Sequence, residues 1–118
     1  MKTGLIVDDA AVMRIRLRDI LENRYKVVAE ASNGNEALDM YESYKPDFVT
    51  LDITMPQLNG IETLGQIISS HPEAKVVIVS AVGQKQMVFQ AIAKGAKDFI
   101  IKPFEPARVL MAIDRLFE

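Results

Sequence analysis

Four short stretches carry side chains that could do chemistry together: Asp8 and Asp9 in LIVDDAA, Asp52 in FVTLDITMPQLNG, Ser80 in VVIVSA and Lys102 in FIIKPF. In each, an apolar run stops at a charged or hydroxyl-bearing residue. Three carboxylates converging on one crevice repel, and a like-charged pair at about 4 Å costs roughly 4 kcal/mol at an effective dielectric near 20. A hard divalent cation offsets that repulsion. Mg²⁺ takes oxygen ligands, keeps several waters and commonly uses one or two carboxylates plus a phosphate oxygen. Lys102 adds a second, mobile positive charge, and Ser80 adds a neutral donor for an anionic oxygen. Such a set suits phosphoryl transfer, in which a protein mainly positions groups and neutralises charge. One aspartate can itself be the nucleophile, giving an aspartyl phosphate.

These residues meet only if the elements before them run side by side. Short β-rich runs at 4–7, 26–31, 48–51, 76–79 and 99–101 predict five strands. Between them, Met13, Leu17, Ile20 and Leu21 share a helical face, as do Leu38, Tyr41 and Tyr44, and then Ile61, Leu64 and Ile68. A fourth helix runs from about residue 84 to 94 and stops at Gly95, suited to a left-handed C′ position. A fifth opens at Pro106 and carries Val109, Leu110, Ile113, Leu116 and Phe117. Strand and helix alternating five times predict an α/β, doubly wound, five-stranded parallel sheet with helices on both faces. Runs such as VVIV fit strands buried on both sides. In that architecture ligands bind beyond the carboxyl ends of the strands, where Asp8, Asp9, Asp52, Ser80 and Lys102 fall.

The bulk properties narrow the function classes. With 118 residues, 49% of them hydrophobic, the chain suits one compact domain over 1–118. A net charge of −2 and a pI near 5.4 disfavour nucleic acid and anionic membrane surfaces, which select a basic field. Cysteine is absent, which excludes disulfides, thiol nucleophiles and Cys-type zinc sites and fits a reducing compartment. The start, MKTGLIVDD, places acids where a signal peptide needs an apolar core. A soluble, cytoplasmic monomer is expected.

The ordered set of DD near the start, D-x-x-M-P followed by glycine, S-A after strand four and K-P-F after strand five resembles the receiver domains of two-component response regulators. VDDAAVMR, LDITMPQLNG, VSAVGQKQMV and GAKDFIIKPFEPARV are similar to the stand-alone chemotaxis members. The resemblance implies a flavodoxin-like (βα)5 fold with strand order 2-1-3-4-5. It implies that Asp52, braced by the Met-Pro turn, accepts a phosphoryl group from a chemotaxis-type histidine kinase. Asp9 and Asp52 would be direct Mg²⁺ ligands, Asp8 a ligand through water and Thr54 one through its backbone carbonyl. Ser80, Lys102 and backbone N–H groups near Thr54 and Ala81 would meet the phosphoryl oxygens, and Lys102-Pro103 would be cis. Ser80 and Phe99 would form the switch, with phenylalanine where tyrosine is common, so the inward ring state could be populated before phosphorylation. Side chains at Thr54 and Val82 would tune slow self-hydrolysis. The output face would be helix four, strand five and helix five, presented to a flagellar motor switch protein, with a phosphatase as a further partner. The chain would then be a signalling switch, catalysing only its own phosphorylation and slow dephosphorylation.

Helix four carries more apolar residues than one buried stripe needs: Met87, Val88, Phe89, Ala91, Ile92 and Ala93. Some must face outward, alongside Phe99 and Met111 or Ala112. Arg14, Arg16 and Arg18 read as a solvated face, His71 as a loop residue without a role, and the methionines as core filler. Asp8 and Asp9 alone could merely cap the first helix. Three rival readings stand beside the stand-alone receiver. One is a receiver cut from a methylesterase or transcription factor. Another is a Mg²⁺-dependent phosphatase with an aspartate nucleophile, opposed by the lack of a carboxylate two residues after Asp52. The third is a nucleotide module, opposed by the lack of a glycine-rich loop after strand one.

Overall fold

The computed structural model describes residues 1–55 and 59–118. Five strands, β1 (Thr3–Val7), β2 (Lys26–Ala31), β3 (Phe48–Asp52), β4 (Val76–Ala81) and β5 (Asp98–Lys102), alternate with five helices. These are α1 (Ala11–Leu21), α2 (Gly34–Tyr44), α3 (Gly60–Ser70), α4 (Lys85–Ala93) and α5 (Pro106–Arg115). The strands form one sheet in the order β2-β1-β3-β4-β5, and every neighbouring pair is parallel. This is the doubly wound, flavodoxin-like arrangement expected from the alternation and the resemblance. The Met-Pro turn expected to brace Asp52 reaches, at Pro56, outside the described residues.

Period-two alternation sorts each strand between two cores. Leu5, Val7, Leu51 and Ile78 face α2, α3 and α4, meeting Tyr41, Leu64, Ile67 and Ala91. Ile6, Val77, Val79 and Ile100 face the other way, toward Leu17 and Leu21 of α1 and Val109 and Ile113 of α5. All five residues of β3 are buried, which is why this central strand shows no polar alternation. Among the described residues, no helix is long and apolar enough to cross a membrane.

Helix ends follow their local chemistry. The Asn33 and Asn59 side chains accept from the N–H groups of Glu36 and Glu62, capping α2 and α3. Pro106 takes the first position of α5, where its missing N–H costs nothing. Gly95, just past α4, has φ 118°, the left-handed conformation expected there. The α3 stripe stands as expected: Ile68 is partly buried and packs against the core with Ile61 and Leu64, beside the fully buried Ile67. Two expectations need correction. Tyr44 is exposed rather than on the core face of α2, because that helix buries Ala37 and Tyr41 and ends at Lys45. Ala112 is fully buried against β5, so only Met111 is available on the outer face of α5.

Gly60 links the fold to the end of β3. A Cβ there would run into the backbone carbonyl of Asp52 and the Cα and carbonyl of Ile53, while the Gly60 N–H donates to the Ile53 carbonyl at 3.0 Å. Backbone cannot yield as a side-chain tip can. Gly60→Ala is therefore expected to lower stability by about 2–3 kcal/mol in urea unfolding, and a loss below about 0.5 kcal/mol would contradict this close approach.

Candidate functional site

At the carboxyl edge of the sheet, one carboxylate oxygen from each of Asp8, Asp9 and Asp52 lies within 4.8 Å of the others. Asp52 ends β3 and Asp8 follows β1, the neighbouring strand. Asp8 and Asp52 are 1% and 5% exposed, whereas Asp9 is exposed. Lys102 ends β5 and sits two strands from β3, so only its long stem brings the ammonium into the crevice. Its Nζ is 3.3 Å from Asp8 Oδ2 and 3.8 Å from Asp52 Oδ1. The Lys102-Pro103 peptide is cis, as the resemblance implied.

Local hydrogen bonds aim these groups. Asp8 Oδ1 accepts the Ala10 N–H at 2.8 Å. The N-cap of α1 is Ala10, with no side-chain cap bond, so neither acid serves as the N-cap. Asp52 Oδ1 accepts the Thr54 N–H at 3.2 Å. Burial pushes the Asp52 carboxyl up to about 6, the charge of Asp8 adds to the rise, and Lys102 and the Thr54 N–H only partly oppose it. One ammonium among three carboxylates leaves negative charge uncompensated. The donor set is all oxygen and the deficit is positive charge, so the residues present fit a hard divalent cation.

Ser80 is fully buried near the end of β4, and its Oγ has no hydrogen-bond partner among the described residues. A buried hydroxyl in that state carries a desolvation penalty that an incoming acceptor would relieve. Thr50, two residues before Asp52, has a second buried hydroxyl without a partner among the described residues; composition and spacing gave no sign of it. Phe99 does not join the carboxylates. Phe99 is 37% exposed, with the Arg108 guanidinium 6.0 Å from its ring centroid, and Arg108 Nη2 donates to the Phe99 carbonyl at 2.6 Å. Beside the ring lies a pocket of about 390 Å³ walled by Ala81, Val88, Phe89, Ile92, Phe99 and Ile101. Phe89, 61% exposed, and Ile92 face outward from α4, as the surplus apolarity of that helix predicted.

The arginines of α1 correct the expectation of a solvated face. Arg14 Nε and Arg18 Nε grip the two oxygens of Glu30 on β2 at 3.1 and 2.7 Å. Arg14 Nη1 also donates to the Asp8 carbonyl at 2.7 Å, so it holds the segment that carries the acidic pair. Arg16 reaches the Phe104 carbonyl at 3.2 Å. Glu30 and Phe104 lie 12 or more residues away in sequence, which is why the charge pattern alone suggested solvent. Gln84 is a second unforeseen residue: its Nε2 donates to Thr54 Oγ1 at 2.5 Å and its Oε1 accepts the Ala81 N–H at 2.7 Å. His71, at the C-cap of α3, pairs with Glu42 at 2.7 Å and leans on Tyr41, taking no part in the crevice.

Known proteins carry the same pattern. A family model described as the response regulator receiver domain matches residues 5–114. The chemotaxis protein CheY of Thermotoga maritima is 52% identical over 116 residues, spanning 98% of this chain and 97% of that protein. CheY of Listeria monocytogenes is 54% identical over 112 residues, or 94% of each. Among solved structures, the complex of CheX and CheY with beryllofluoride and magnesium from Borrelia burgdorferi superposes with a TM-score of 0.94. Its matched chain is 37% identical, covering 99% of this chain and 90% of that one. Half the residues are thus shared end to end with stand-alone chemotaxis receivers, on the same sheet, and the chain belongs to the response regulator receiver domain family.

Proposed function

We propose that the chain is a phosphorylation-activated chemotaxis regulator in which Asp52 accepts the phosphoryl group. The observation that carries this reading is the placement of Asp52 Oδ1 at the end of a central strand, clustered with Asp8 and Asp9 and 3.8 Å from the Lys102 ammonium. A carboxylate oxygen of Asp52 attacks phosphorus in a chemotaxis-type histidine kinase, the P–N bond breaks, and the imidazole keeps the bonding pair. Asp9 and Asp52 directly, Asp8 through water and Thr54 through its carbonyl would hold Mg²⁺. When bound, that ion supplies charge neutralisation for the transferring phosphoryl oxygens. Lys102 neutralises a further oxygen, and the buried Ser80 hydroxyl donates to another. The reading places the chain in the cytoplasm, with the kinase.

Ser80 and Phe99 form the switch in this reading. Drawing the Ser80 hydroxyl toward the phosphoryl group leaves space into which the half-exposed Phe99 ring turns. Phenylalanine carries no hydroxyl to satisfy on the way in. The outward apolar residues Phe89, Ile92 and Met111 then frame the surface offered to a flagellar motor switch protein. A further protein partner, read here as a phosphatase, is in keeping with the CheX bound to CheY in the Borrelia complex.

Asp52→Asn is expected to fold normally and to take up no acid-labile phosphate from acetyl phosphate, read by intact-protein mass spectrometry; undiminished labelling would refute the assignment. The same variant tests the electrostatics. Because its folded-state value is raised to about 6, Asp52 holds its proton more tightly in the folded chain than in the unfolded one, near 3.9. Stability should therefore fall as pH rises from about 4 to about 6 and stay lower above that. Metal-free Asp52→Asn should exceed the native protein by about 3 kcal/mol at pH 7 in urea unfolding, with most of the gain gone near pH 4. Finally, a fluorine-labelled Phe99 should change environment when beryllofluoride and Mg²⁺ are added, and an unchanged resonance would rule out the Ser80–Phe99 switch.

A further inference from the structure

Strand β4 lies between β3, which carries Asp52, and β5, which carries Lys102. A group bonded to Asp52 and reached by Lys102 must therefore pass over the end of β4. Ala81 is the last residue of that strand and stands opposite Lys102 in the register. Its N–H is engaged by Gln84 Oε1 at 2.7 Å, while the Nε2 of the same side chain holds Thr54 Oγ1 at 2.5 Å. One amide thus ties the loop after β3 to the loop after β4 across the mouth of the crevice. It does no capping: Gln84 is the residue before α4, and its side chain makes no cap hydrogen bond.

Resting on the reading of Asp52 as phosphoacceptor, we propose that Gln84 is a latch on the site, occupying the Ala81 N–H until an anionic group on Asp52 displaces it. A phosphoryl oxygen is the stronger acceptor for that N–H, because charge-assisted hydrogen bonds are about twice as strong as neutral ones. The anion wins the exchange, but it must first undo two neutral bonds, and the affinity of the site is lowered accordingly. The latch also has a reach beyond the crevice. Gln84 immediately precedes the first turn of α4, and Val88, Phe89 and Ile92 of that helix wall the pocket beside Phe99. Release of the amide frees α4 from the Thr54 loop, so loading of Asp52 is communicated to the outward face of α4 by a route separate from the Ser80 hydroxyl.

The test is a titration of the full chain with beryllofluoride at saturating Mg²⁺, following the backbone amides of Ala81 and Thr54 by ¹⁵N NMR. Gln84→Ala should bind roughly fivefold more tightly, the net worth of neutral hydrogen bonds no longer broken, and its Ala81 amide should already be shifted before any ligand is added. Gln84→Glu keeps the acceptor but sets a negative charge beside the anion, and should bind several-fold more weakly than the native chain. Equal or weaker binding by Gln84→Ala, or an Ala81 amide that ignores the substitution, would overturn the latch. A native chain that fails to bind, or binding that survives Asp52→Asn, would instead overturn the phosphoacceptor reading on which it rests.

Discussion

Everything at the carboxyl edge of this sheet answers to one electrostatic constraint: three carboxylates held within 4.8 Å of one another with a single ammonium among them. Two of the three acids are buried, so solvent cannot screen the repulsion as it would on an open surface. Lys102 and the Thr54 N–H relieve that repulsion only in part. The remainder leaves Asp52 lifted to about 6, and added positive charge would stabilise its carboxylate and bring that value back down. Stored charge deficit of this kind is a common property of sites that bind a cation or transfer an anionic group.

Holding like charges together requires a rigid frame, and the frame is the parallel sheet with both faces covered. The fully buried β3 cannot shift along its neighbours without moving apolar residues out of both cores. Gly60 lets α3 start against the backbone of Asp52 and Ile53, and Arg14, tied to Glu30 on β2, fixes the Asp8 carbonyl from the other side. The rigid parts are thus the strand ends, while among the described residues side-chain hydrogen bonds of Gln84 join the loops carrying Thr54 and Gln84. In the proposed reading, those loops are the element that a charge on Asp52 would bias.

The fold was legible because its signals are local and redundant. Five apolar runs, five helical periods and abrupt polar stops are each readable within a few residues, and an error at one boundary leaves the topology intact. Tyr44 illustrates the limit. Its spacing from Tyr41 suggested burial, yet the helix ends there at the left-handed Lys45, and the final turn has no core to meet. Ala112 and Met111 show the same limit: which of two adjacent residues faces inward depends on the rotation of α5 about its axis, set by packing on β5 and α1.

The sequence by itself determined the alternation of strands and helices, and with it the residues standing at the strand ends: Asp8, Asp9, Asp52, Ser80 and Lys102. Those follow from hydrophobic periodicity, which is written along the chain. Tertiary structure alone decided that Arg14 and Arg18 share Glu30, that Gln84 spans from Ala81 to Thr54, that the Ser80 hydroxyl is left without a partner among the described residues, and that the Phe99 ring lies outward under Arg108. Most of these depend on distances between segments separated by many residues, or on which polar groups burial strands from water. No local pattern encodes either, because both are set by how the layers of the sheet close around it.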